Sequence, residues 1–124
     1  MITADAINAA YAKLTTAQVQ GFNAAGGVLD AKEKLARRRA ALLDSGEIDG
    51  KNAETREGQL RARTEHELGY VETAESLMRQ ADLTLRCAQL EVDRCKTLLK
   101  LLEVTGIKAS VTSESEPFMY GAKP

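Results

Sequence analysis

The sequence predicts an all-α fold: a long antiparallel two-helix hairpin of coiled-coil type, assembling into a helical bundle and ending in an irregular tail. Three observations predict it. Large apolar residues recur every seven positions at Val71, Met78, Leu85, Val92 and Leu99, with small ones between them at Ala74, Ala81, Ala88 and Cys95. This alternation of three and four keeps one stripe facing a partner helix. A matching stripe runs earlier, through Ile7, Ala10, Leu14, Ala17, Gly21, Ala24, Val28, Ala31, Leu35, Arg38 and Leu42. Finally, no proline occurs before Pro117, Trp is absent, and the chain is rich in Ala, Leu, Glu, Arg and Lys. That composition favours helices over a sandwich or a doubly wound sheet.

The first helix is expected over 3–44. Thr3 is a suitable N-cap, and Asp5 lies in the opening turn, where the helix dipole favours a negative charge. Gly21, Gly26 and Gly27 interrupt the pattern. Each costs about 1 kcal/mol against alanine, so either a close backbone approach or a break near Gly26-Gly27 is expected. The joint, Asp44 to Lys51, holds Ser-Gly and Asp-Gly pairs, which are strong turn chemistry.

Asn52 caps the second helix, expected over 52–104 as one run on the order of 75 Å long. The two helices form one hairpin domain over 1–104. Large residues facing small ones let the helices approach closely. Folding the chain about Ile48 leaves the last residues of the second helix without a partner. Those residues include Leu98, Leu99, Leu101, Leu102 and Val104, a patch that soluble monomers rarely expose. Gly106 suits the left-handed position that ends the helix.

The tail, 105–124, alternates weakly from Ile107 to Thr112, turns polar over Ser113–Glu116, and carries an apolar island at Phe118-Met119-Tyr120. A disordered tail is one reading. The other has it folding back over the leucine-rich end or docking on another subunit. Leu98, Leu99, Leu101, Leu102 and Val104, with Phe118 and Tyr120, are therefore the expected oligomer or partner interface.

Candidate chemistry is sparse. His66 is the only histidine, and neighbours Glu65 and Glu67 point to different sides of a helix, so the row suits no metal. No phosphate loop, dinucleotide fingerprint or paired CxxC is present. No nucleophile stands with a candidate base. No enzyme activity, cofactor or metal is expected. Cys87 and Cys95 lie eight apart on one helix, too far to bridge, and are expected to be packed thiols. Net charge is −1, so no global field draws the chain to nucleic acid or membrane. The local exception is Lys32, Lys34, Arg37, Arg38 and Arg39, opposite Arg56, Arg61 and Arg63. Arg37, Arg38 and Arg39 are the candidates for phosphate contacts, which would be strongly salt-dependent. Without a leader or an apolar span, the expected location is the cytoplasm.

The stretch LLDSGEIDGKNAETREGQL, Leu42 to Leu60, resembles small helical-hairpin proteins of bacteriophage and prophage accessory regions. Its specific part is Lys51-Asn52-Ala53-Glu54-Thr55-Arg56-Glu57. The resemblance implies a non-enzymatic accessory protein, acting in the host cytoplasm if phage-encoded, and carries over no functional residues. The Trp-x-Gly turn of small secreted hairpins is absent. The function expected is protein interaction and oligomerisation, binding and blocking or scaffolding a partner. A nucleic-acid accessory protein and a virion or assembly component are the alternatives.

Overall fold

The computed structural model describes residues 2–106 and is all-helical among them. Three helices follow one another: α1, Ala4–Ser45; α2, Ala53–Arg63; and α3, Glu65–Thr105. The long helices α1 and α3 pack against each other as a helical hairpin. The tail from residue 107, including Phe118 and Tyr120, lies outside the described residues.

The expected caps are in place. The Thr3 hydroxyl accepts from the Ala6 amide at 3.1 Å, and Asn52 Oδ1 accepts from the Thr55 amide at 2.8 Å. Each satisfies an amide that the first helical turn leaves without a partner. Gly46 and Gly106 follow α1 and α3 at φ +79°, which a side chain would strain.

The single helix expected over 52–104 is broken at Thr64. Thr64 is fully buried, and its amide donates to the Arg61 carbonyl at 3.3 Å, one residue short of the α-helical partner. The Leu60 carbonyl is left without that amide. The Thr64 hydroxyl donates to it instead, at 2.7 Å. The Thr64 carbonyl then accepts from the Leu68 amide as α3 begins, at 2.9 Å. A side-chain proton thus replaces a backbone one at the break.

The described chain divides into two compact units. One joins residues up to Gln20 with those from Asp82 onward; the other is Gly21–Ala81. In the first, Ile2, Ala10, Val92 and Cys95 form the buried cluster, with Ile7, Leu14, Leu98, Leu99 and Leu102 packed against it. Ala10 clusters with Val92 and Cys95, so this unit pairs about Lys51 and Asn52, whereas Arg39 and Glu57 beside the turn pair about Ile48 as expected. The leucine-rich end therefore has a hairpin partner: Leu98, Leu99 and Leu102 pack on the cluster that Ile2 and Ala10 help to form. Leu101 and Val104 stay exposed.

In the second unit, Val28, Ala31, Leu42, Leu60, Thr64 and Val71 are buried. Its turn is fixed by Gln59, whose Oε1 accepts from the amides of Asp49 and Gly50 at 3.1 and 3.0 Å. The Gln59 amide donates to Asp49 Oδ1 at 2.9 Å, and Arg56 donates to the Gly50 carbonyl at 3.1 Å. A Cβ on Gly50 would stand 2.8 Å from the Thr55 methyl and 2.9 Å from the Arg56 amide, so the turn admits only glycine without rearrangement.

Helix α1 runs unbroken through Gly26 and Gly27. Close approach does not explain them either: a Cβ at Gly21, Gly26 or Gly27 would meet nothing within 4 Å. Both sequence readings of these glycines fail, because the space beside them is open.

Candidate functional site

Burial follows the two stripes closely. Ala10, Ala17, Val28, Ala31 and Leu42 are buried on α1, and Val71, Ala88, Val92 and Cys95 on α3. Arg38, on the α1 stripe, is exposed. A charged side chain at the margin of a seam reaches solvent more cheaply than it desolvates.

What the stripes do not account for is a set of large apolar side chains facing outward. On α1 of the second unit, Phe22 is 80% exposed, Leu29 70% and Leu43 52%, seven and fourteen residues apart. Ala36 fills the missing heptad position. Each lies one residue past a seam position, at Gly21, Val28, Leu35 and Leu42. That adjacency hid the second stripe, because each pair reads as one apolar site. The repeat at 22, 29, 36 and 43 was the available signal.

In the first unit, α3 carries a comparable ridge. Leu83, Leu90 and Val104 are exposed at heptad spacing, with Leu101 exposed beside them and Thr97 completing the repeat. Cys87 and Arg94 fall between, giving the three-and-four alternation again. Beside the ridge, Ala12, Thr16 and Gln20 of α1 and Thr84, Cys87 and Glu91 of α3 line a groove of about 540 Å³. Cys95 is the packed thiol that was expected; Cys87 is instead exposed.

The expected interface residues thus separate. Leu98, Leu99 and Leu102 are half-buried against their own chain, whereas Leu101 and Val104 belong to the outward ridge.

The arginine-rich end is held by internal ion pairs. Arg39 donates to both Glu57 oxygens, at 3.0 and 3.1 Å, and Arg37 lies 3.1 Å from Glu33. Lys32 stands 3.7 Å from Glu75, and Arg63 pairs with Glu47. Hydrogen bonding from Arg39 holds the Glu57 carboxyl below its ordinary range and raises the Arg39 guanidinium in turn. Bonds from Arg63 and then Ser45 lower Glu47 likewise. Of the three candidates for phosphate contacts, Arg37 and Arg39 each pair with a carboxylate, and Arg38 is exposed.

Among the described residues, no group of three or more His, Cys, Asp or Glu side chains is placed to hold a metal. No described helix is long and apolar enough to cross a membrane. Compared with protein-family models, with curated proteins and with solved structures, the chain gives no match.

Proposed function

We propose that this chain is a non-enzymatic interaction protein that assembles with itself and binds another protein, blocking or scaffolding it. The observation that carries this reading is the outward stripe of Phe22, Leu29 and Leu43 on a helix whose neighbouring seam face is already buried. Soluble chains seldom keep such a run of large apolar groups in water unless a second surface covers it. The resemblance of Lys51–Glu57 to the turn of phage and prophage accessory hairpins suits a phage-encoded protein acting in its host. The nucleic-acid reading ranks lower, because Arg37 and Arg39 each already serve a carboxylate.

The test uses a photo-crosslinker placed at Ala36, within the stripe, and host extract. A crosslinked protein that disappears when Phe22→Glu and Leu29→Glu are introduced supports the reading. Crosslinks that are indifferent to those two changes overturn it.

A further inference from the structure

We infer that the outward ridge of α3 in the first unit binds a second copy of the same chain, the two α3 helices running antiparallel about a two-fold axis between Cys95 and Lys96. The inference rests on the self-association in the reading above, and it names the surface and register. The ridge is Leu83, Cys87, Leu90, Arg94, Thr97, Leu101 and Val104, alternating four and three apart along one exposed face. Only an elongated partner with the same repeat matches such a ridge along its length. A second copy supplies one.

Charge then selects orientation and register. Arg86, Asp93 and Lys100 flank the ridge on one side, again seven apart and exposed. Neither Asp93 nor Lys100 has an ion-pair partner among the described residues. In a parallel two-fold pair Arg94 would oppose Arg94 of the second copy in the middle of the ridge, which like charges disfavour. Running antiparallel, each flank meets its own counterpart on the other copy.

About the proposed axis, Asp93 meets Lys100 of the second copy, and the pair occurs twice by symmetry. The same register sets Leu90 against Leu101, Arg94 against Thr97, and Cys87 against Val104. Sliding one heptad toward the N-terminal end of the ridge, which keeps the same number of ridge positions opposed, instead sets Asp93 against Asp93 and Arg86 against Lys100. That register is penalised on the flank.

The full-length chain tests this by light scattering and by oxidation. The expected result is a dimer that falls to monomer on Leu90→Glu with Leu101→Glu. Both side chains are more than half exposed, so the hairpin should keep its helical signal. Asp93→Lys alone or Lys100→Asp alone should weaken the dimer at least tenfold, and the double reversal should restore it. Val104→Cys should form a covalent dimer through Cys87 under mild oxidation, while Leu83→Cys should not.

A monomer at all concentrations overturns the inference. So does a dimer that survives both glutamates. A dimer in which the double reversal fails to rescue, or in which Leu83→Cys crosslinks as readily, overturns the register. None of these outcomes touches the stripe on α1, so the reading of partner binding stands or falls by its own crosslinking test.

Discussion

Thr64→Val removes one hydroxyl from a site with no solvent and leaves the shape nearly unchanged. In the wild type that hydroxyl is the donor to the Leu60 carbonyl, since the Thr64 amide turns to Arg61. The variant leaves the carbonyl buried and without a partner. Deleting one member of a buried hydrogen bond costs about 1–3 kcal/mol. For a chain of this size that lowers the thermal midpoint by roughly 4–12 °C. The assay is thermal unfolding followed by circular dichroism at one fixed protein concentration, since association shifts the midpoint by mass action. Thr64→Ser is the control: it keeps the donor and loses about one methyl, near 1 kcal/mol. A Val variant as stable as the wild type refutes the reasoning. It would mean that α2 and α3 can join into the continuous helix that the sequence pattern predicts, returning the amide of residue 64 to Leu60.

Two further expectations follow from the geometry. Gly26→Ala and Gly27→Ala should each stabilise the chain by about 0.5–1 kcal/mol, since a Cβ meets nothing and a helical glycine carries excess chain entropy. Urea unfolding reads this directly, and an unchanged or lowered midpoint would count against open space there. Glu47 and Glu57 titrate below the ordinary carboxylate range, near pH 4.3 for an unfolded Glu. Their contribution is therefore present above that pH and lost as acid takes the folded carboxylates through their lowered values. Glu47→Gln with Glu57→Gln should flatten the fall in stability between about pH 5 and pH 2; an equally steep fall would remove these pairs from the account.

The helices and their inner faces were legible because they rest on repeats, and a repeat survives local exceptions. Thr3, Asn52 and Gly106 were legible as punctuation, each having a short-range reason to stand where it does. Thr64 was not, although carrying the heptad back from Val71 lands on it. A threonine in a row of large apolar residues reads as a tolerable exception until its hydroxyl is seen replacing an amide. The offset of the fold from Ile48 was invisible for a related reason. Beside the turn Arg39 and Glu57 still pair about Ile48, whereas Lys32 and Glu75, beyond the break at Thr64, do not, and no periodicity encodes that shift. That offset reassigned Leu98, Leu99 and Leu102 from an outside surface to the chain's own core.

Cys87 and Cys95 stand two turns apart on the same helix, one open to solvent and one closed within the cluster of Ile2, Ala10 and Val92. The molecule thus carries its own gauge of local opening. In the separated chain a thiol reagent reaches the outer sulfur at once, whereas the inner one answers only when the first residues of the chain lift away from α3. The ratio of the two labelling rates gives the free energy of that partial opening, separately from unfolding of the rest.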